Sequence, residues 1–155
     1  MKRLLYVEDD PINAFVIKKL LAQHYTTEHV EDGETCLSIL GDGAFRDLVL
    51  MDINLGRGKM DGIETMKKIK ATPLFENLPV VAITSYAMPG DKERFLGEGF
   101  NGYLSKPVER PVLLDYLGNL STIMLIDLRS DTVTLSYSRH ARSNDERTDR
   151  RRCFW

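Results

Sequence analysis

Short apolar runs alternate along the chain with segments whose apolar residues recur every three or four positions. Three runs are continuous and of strand length, at residues 3–7, 48–51 and 79–83. Continuous runs of this length are typical of strands that are covered on both faces of a parallel sheet. Two weaker strand candidates cover residues 27–30 and 102–105. The pattern therefore predicts five strands.

Helical segments are predicted after each of these strands. The first, third and fifth have apolar faces formed by Ile12, Phe15, Val16 and Leu20, by Ile63, Met66 and Ile69, and by Leu113, Tyr116, Leu117 and Leu120. The second and fourth are shorter and cover residues 34–40 and 90–98. Strand and helix thus alternate five times, which predicts an α/β fold with a doubly wound, five-stranded parallel sheet and helices on both faces.

The composition indicates a single globular domain. The chain has 155 residues, of which 43% are hydrophobic and 28% charged, and its net charge is −2. That balance argues against nucleic acid or an anionic membrane as the main partner. No apolar run approaches the roughly 18 residues that a membrane helix needs. With two cysteines and a strand candidate directly after Met1, we expect a cytoplasmic protein.

The composition changes near Leu120. We expect residues 1–120 to form the folded domain, and residues 121–155 to form a C-terminal tail that is partly helical or extended and then disordered. Within this tail, residues 132–137 alternate like an edge strand. The Arg-rich end lacks the interleaved aromatic residues of a nucleic-acid surface, and a non-native extension is an alternative explanation.

Acidic, hydroxyl and basic side chains stand where the predicted strands end. The first strand is followed by Glu8-Asp9-Asp10, the third by Asp52, the fourth by Thr84 and the fifth by Lys106. Parallel strands end on one edge of the sheet, so these groups converge if strands one and three are neighbours. Each acid taken alone suits an ordinary loop or helix cap, and Asp10 before Pro11 has the pattern of an N-cap. The joint pattern favours a site.

The predicted cluster has a chemistry of its own. Close carboxylates repel one another, so they need a cation or shifted pKa values. Oxygen ligands without a neighbouring His or Cys suit Mg2+. Together these groups suit a phosphoryl group. A carboxylate can attack phosphorus, a metal and an ammonium group can neutralise the phosphoryl oxygens, and a hydroxyl can orient one of them.

Four segments carry a resemblance to a known family. They are LLYVEDD at residues 4–10, LVLMDIN at 48–54, AITS at 82–85 and GYLSKP at 102–107. In this order and spacing they resemble the signature segments of the response-regulator receiver domain, over residues 2–120. The resemblance implies a flavodoxin-like (βα)5 fold with strand order 2-1-3-4-5.

The resemblance also implies roles for individual residues. Asp52 would accept a phosphoryl group from a phosphohistidine on a sensor histidine kinase or a histidine phosphotransfer protein. Mg2+ would be held by Asp9 directly, by Glu8 through water, by Asp52 and by the backbone carbonyl of Asn54.

Three further residues complete the set that the resemblance implies. Thr84 and Lys106 would contact phosphoryl oxygens, and Tyr103 would be an aromatic switch that turns inward. From the sequence alone, Tyr103 is equally an ordinary core aromatic. The bond between Lys106 and Pro107 would be cis.

The implied function is a phosphorylation-dependent signalling switch in two-component signalling. It would not be an enzyme apart from its own phosphorylation and dephosphorylation at Asp52. A monomer or weak dimer would signal to a downstream protein through the fourth helix, fifth strand and fifth helix. The alternatives are a phosphorelay intermediate or phosphate sink, or an aspartate-nucleophile phosphatase, a class that needs an acid at the position of Asn54.

One segment departs from the family pattern. The loop at residues 54–62 is longer than the common form and carries Arg57 and Lys59. Either these cations alter partner fit or phosphoryl lifetime, or the loop is a flexible insertion.

Overall fold

A computed structural model describes residues 1–56, 58–85 and 87–127. The strands are β1 (Lys2–Val7), β2 (Tyr25–Val30), β3 (Leu48–Asp52), β4 (Val80–Thr84) and β5 (Gly102–Ser105). The helices are α1 (Pro11–Leu21), α2 (Gly33–Leu40), α3 (Gly62–Ala71), α4 (Asp91–Glu98) and α5 (Arg110–Asp127). The predictions for residues 128–155, including an edge strand at 132–137, lie outside the described residues.

The five strands form one parallel sheet in the order β2-β1-β3-β4-β5. This confirms the predicted α/β class, the doubly wound topology and the strand order. The strand boundaries agree with the apolar runs to within two residues. β2 differs most, because it begins at Tyr25, two residues before the predicted start.

The sheet is covered on both faces, as its continuous apolar strands predict. On one face, side chains from alternate strand positions pack with α1 and α5, through residues such as Ile17, Leu21, Leu113 and Leu117. On the other face they pack with α2, α3 and α4, through residues such as Cys36, Met66, Ile69 and Phe95. The three central strands β1, β3 and β4 are therefore largely buried, and the loops at the strand ends remain accessible.

Helix α1 corrects one prediction. Of the four residues predicted to form its apolar face, Leu20 packs against the core, but Ile12, Phe15 and Val16 are 72%, 62% and 47% exposed. The buried face carries Ala14, Ile17 and Leu21 instead. Since α1 is apolar on more than one side, spacing alone does not decide which stripe is buried.

The start of α1 is set by a side-chain cap. The Asp10 carboxylate accepts hydrogen bonds from the backbone N–H groups of Ile12 and Asn13, and Pro11 occupies the first helical turn. This confirms the predicted N-cap. The acidic segment after β1 is consequently held at a fixed turn between strand and helix.

Candidate functional site

The sheet register aligns the ends of four strands. Val7 pairs with Met51, Asp52 with Ile83, and Thr84 with Ser105. The candidate site residues either belong to these pairs or come directly after them in the chain. They therefore lie side by side at the carboxyl edge of the sheet. This is the crevice in which doubly wound folds bind ligands.

Three carboxylates meet at this edge. Glu8, Asp9 and Asp52 each offer an oxygen, and these oxygens lie within 4.8 Å of one another. Glu8 and Asp52 are buried, whereas Asp9 is exposed. Hard oxygen donors at this spacing fit Mg2+, which keeps part of its water shell and so needs only a few protein ligands. The residues predicted as metal ligands from their side chains are thus brought together.

The Lys106 ammonium group lies among these acids. Its Nζ atom donates a hydrogen bond to Asp52 Oδ2 at 2.8 Å and a second to Glu8 Oε2. All three side chains are at least nine-tenths buried. The Lys106–Pro107 peptide bond is cis, as the resemblance implied.

The environment shifts the titration of Asp52. Burial raises the pKa of the Asp52 carboxyl, and the ammonium group of Lys106 partly offsets that rise. The backbone N–H of Asn54 also donates to Asp52 Oδ1, at 3.1 Å. Asp52 thus combines one oxygen bound by Lys106 with a second oxygen bound by the adjacent backbone.

Sequence reasoning missed the residues that hold Glu8. The Tyr6 hydroxyl donates to Glu8 Oε2 at 2.6 Å, and the Asn13 side-chain amide donates to Glu8 Oε1 at 3.2 Å. His29 Nε2 lies 2.8 Å from the backbone carbonyl oxygen of Glu8. Burial, and then the bond to Glu8, raises the pKa of the Tyr6 hydroxyl, which therefore stays protonated. Tyr6 lies inside an apolar run, where it is indistinguishable from a core residue.

The two residues predicted to relay the signal lie on neighbouring strands. Thr84 is buried at the end of β4, and its backbone carbonyl accepts a hydrogen bond from the Lys106 N–H at 2.8 Å. Tyr103 is half-buried on β5, level with Ala82, and its ring stacks on Phe95 of α4 at 5.6 Å. Tyr103 therefore lies against the core on the α4 side of the sheet, next to the strand that carries Thr84.

The edge of β5 is covered beside this residue. The backbone N–H of Tyr103 donates to the Tyr116 hydroxyl of α5 at 3.0 Å. A Cβ atom on Gly102 would lie 2.6 Å from that hydroxyl, so only glycine leaves room for it. The position of Tyr103 is thus tied to both α4 and α5.

The long loop after Asp52 approaches the site. A Cβ atom on Gly56 would lie 3.4 Å from Asp9 Oδ2. Lys59 forms an ion pair with Asp32 at 3.5 Å, at the start of α2. The loop is therefore attached to the neighbouring turn, and the cation of Lys59 is engaged there rather than at Asp52. Arg57 lies outside the described residues.

The chain matches a known protein family. The sequence profile of the response regulator receiver domain matches residues 4–118. The chain belongs to the response-regulator receiver family. It is 33% identical over 123 residues to the polar-differentiation response regulator DivK of Brucella anthropi, covering 76% of this chain and 98% of DivK.

Solved receiver domains have the same architecture. The receiver domain of a signal transduction histidine kinase from Syntrophus aciditrophicus superposes with a TM-score of 0.70 at 28% identity, covering 88% of this chain and 100% of that one. That of the sensor histidine kinase PA1611 from Pseudomonas aeruginosa superposes with a TM-score of 0.69 at 32% identity, covering 78% and 98%. The latter structure has a magnesium ion coordinated in its active-site cleft.

Membership of the receiver family sets the general role of the chain. It is a receiver domain of two-component signalling, a family whose members typically interact with histidine kinases or phosphotransfer partners and are generally not enzymes. Among the helices described, none is long and apolar enough to cross a bilayer.

Proposed function

We propose that this receiver accepts a phosphoryl group on Asp52 from a phosphohistidine of a sensor histidine kinase or histidine phosphotransfer protein. An Asp52 oxygen attacks phosphorus, the bond from phosphorus to the histidine nitrogen breaks, and that nitrogen keeps the electron pair and takes up a proton. The observation that carries this proposal is the Lys106 ammonium group, 2.8 Å from Asp52 Oδ2 within a cluster of three carboxylates.

The metal would be Mg2+, held by oxygens of Glu8, Asp9 and Asp52 and by the backbone carbonyl of Asn54. When bound, Mg2+ neutralises negative charge on the phosphoryl oxygens. Exposed Asp9 is suited to direct ligation. Glu8 is suited to a bond through water, because its two oxygens already accept hydrogen bonds from three side chains.

Lys106 and Thr84 would contact the phosphoryl oxygens once the group is on Asp52. The ammonium group of Lys106 would then leave Asp52 Oδ2 for the more highly charged phosphoryl group. Displacement of the Thr84 side chain toward that group would open space for the Tyr103 ring to turn inward. The half-buried stack of Tyr103 on Phe95 supports this role, because the ring already lies at the boundary of the core.

The switch would act through protein contacts rather than catalysis. Residues 1–120 would form the receiver, and the chain would be a monomer or weak dimer. The surface of α4, β5 and α5 would contact a downstream protein. Exposed apolar side chains on this surface support the assignment, since Leu96 of α4 is 41% and Val112 of α5 is 51% exposed. The only catalysis proposed is phosphorylation and dephosphorylation of Asp52 itself.

The phosphohistidine partner would dock beside the site, on α1. The exposed apolar side chains of Ile12, Phe15 and Val16 form a patch on this helix, which we call the α1 patch. The helix begins directly after the acidic segment, and its Asn13 bonds to Glu8. A protein seated on the α1 patch would therefore lie next to the acidic cluster that contains Asp52.

Labelling by a small phosphoryl donor tests the proposal. Acetyl phosphate with Mg2+ is expected to give the intact chain a phosphoryl adduct that hydroxylamine removes, measured by mass spectrometry. Asp52→Asn should abolish the adduct. Asp47→Asn, which removes the acid directly before the same strand, is the matched control and should retain it. An adduct that survives Asp52→Asn would refute Asp52 as the acceptor.

A phosphorelay intermediate is the second candidate. It is favoured by the similarity to receiver domains of histidine kinases, the proteins in which two of the neighbouring structures occur. The labelled chain should be mixed with an unphosphorylated histidine phosphotransfer domain. Transfer of label faster than its hydrolysis would support a relay, whereas loss as inorganic phosphate would support a terminal switch.

A further inference from the structure

The Tyr6 side chain reaches the acidic cluster from inside the core. Tyr6 is fully buried on β1, in the layer between the sheet and helices α1 and α5. Glu8 follows two residues later, so both side chains leave the chain on the same side. Two residues of a strand span about 6.6 Å. A tyrosine side chain that lies along the strand is long enough for its hydroxyl to reach across that distance. The hydroxyl thus meets Glu8 Oε2 at 2.6 Å.

This hydroxyl does more than fill space. Phenylalanine would occupy the same volume without introducing a polar group into the core, where an unpaired hydroxyl is costly. The Tyr6 hydroxyl is paired with a carboxylate, a charge-assisted bond that is shorter and stronger than a neutral one. It therefore constrains the direction of the Glu8 side chain.

Glu8 Oε2 accepts hydrogen bonds from two donors. One is the Lys106 ammonium group, which also binds Asp52 and which the proposed function sends to the phosphoryl group. The other is the Tyr6 hydroxyl, whose ring is buried on β1 and lies 6.0 Å from the ring of His29. If Lys106 moves to the phosphoryl group as proposed, Tyr6 is the donor that would remain on Glu8 Oε2.

We propose that Tyr6 is a positioning residue that holds the Glu8 carboxylate in the orientation required for Mg2+ binding. This inference rests on the proposed function of the site. Tyr6 acts through Glu8 and touches neither the metal nor the phosphoryl group. The hydroxyl fixes one oxygen of Glu8, Asn13 fixes the other, and the carboxylate is presented to the cluster in one orientation.

The test compares Tyr6→Phe with Tyr25→Phe in the full chain. Tyr25 is also buried, but it lies at the start of β2, at the opposite end of the sheet. Mg2+ affinity is measured by isothermal titration calorimetry. Tyr6→Phe is expected to weaken Mg2+ binding about 10-fold, the lower end of the range for groups behind a metal ligand, because Glu8 itself binds through water. Tyr25→Phe should leave the affinity unchanged.

A double-mutant cycle separates positioning from packing. In a Glu8→Gln background, Tyr6→Phe should cause no further loss of Mg2+ affinity, because its effect passes through the Glu8 carboxylate. At saturating Mg2+, the labelling rate of Tyr6→Phe should approach that of the unmodified chain. Unchanged Mg2+ affinity in Tyr6→Phe, or the same loss with and without the Glu8 carboxylate, would overturn the inference.

The outcomes also separate this inference from the proposed function. If the unmodified chain binds Mg2+ but takes no label from acetyl phosphate, the proposed function fails and the comparison of affinities still decides the role of Tyr6. If the unmodified chain binds no Mg2+, the inference fails as well. If the chain is labelled normally and Tyr6→Phe binds Mg2+ equally well, only the inference about Tyr6 fails.

Discussion

The Nζ atom of Lys106 lies 2.8 Å from Oδ2 of Asp52 and also donates to Glu8, although 98 residues separate Lys106 from Glu8 in the sequence. One ammonium group thus occupies the space between two buried carboxylates. A divalent cation that binds the same oxygens meets both the attraction of the acids and the repulsion of this lysine.

Removal of the positive charge of Lys106 should change Mg2+ affinity and the phosphorylation rate in opposite directions. Lys106→Met is expected to bind Mg2+ more tightly, by about tenfold or more, because a unit charge a few ångströms away contributes a few kcal/mol at intermediate dielectric. Labelling by acetyl phosphate should nevertheless slow, since the phosphoryl oxygens lose a cation. Calorimetry and adduct formation measure the two effects. Lys92→Met, at an exposed lysine of α4, is the control.

Asp52 should make stability depend on pH. Burial raises its pKa in the folded chain above the unfolded value, so folding favours the protonated form. The stability that protonation contributes is present at low pH and is lost as pH rises through the folded pKa. Without Mg2+, the free energy of unfolding of Asp52→Asn minus that of the unmodified chain should therefore increase with pH. Urea unfolding across the acid range measures this difference, and a constant or falling difference would contradict it.

Thr84 should matter for the response rather than for phosphorylation. Thr84→Ala is expected to take label from acetyl phosphate. The structure of its α4–β5 region should not respond, because the hydroxyl that would move toward the phosphoryl group is absent. Hydrogen exchange of α4 and β5 with and without beryllofluoride measures the response. Thr84→Ser keeps the hydroxyl and should restore it. A normal response in Thr84→Ala would exclude the hydroxyl from the switch.

The α1 patch should matter only for protein donors. Phe15→Ser is expected to leave labelling by acetyl phosphate unchanged and to weaken docking of a phosphorylated histidine phosphotransfer domain. Loss of an aromatic contact of about 1–2 kcal/mol corresponds to a factor of roughly 5–30 in affinity. Transfer rates as a function of donor concentration measure it. Phe45→Ser is the matched control, because Phe45 is 72% exposed and precedes β3 at the opposite end of the sheet. Equal losses in both variants would contradict docking on α1.

Much of the fold and part of the site follow from local sequence. The continuous apolar strands determine a sheet covered on both faces, and alternation with helices determines the parallel topology. Because parallel strands end on one edge, Glu8, Asp9, Asp52 and Lys106 were predicted to meet, and they do. The Asp10 cap was equally readable, since it depends on neighbours within three residues.

Other features were decided only by tertiary structure. The spacing of apolar residues leaves more than one candidate for the buried face of α1. Packing against the sheet buries Ala14, Ile17 and Leu21. The bond from Tyr6 to Glu8 depends on where a buried ring points, which an apolar run does not encode. A sequence records which residues alternate with a given period. Which of two apolar faces is buried, and which hydroxyl reaches a carboxylate, depend on the shape of the surface against which those residues pack.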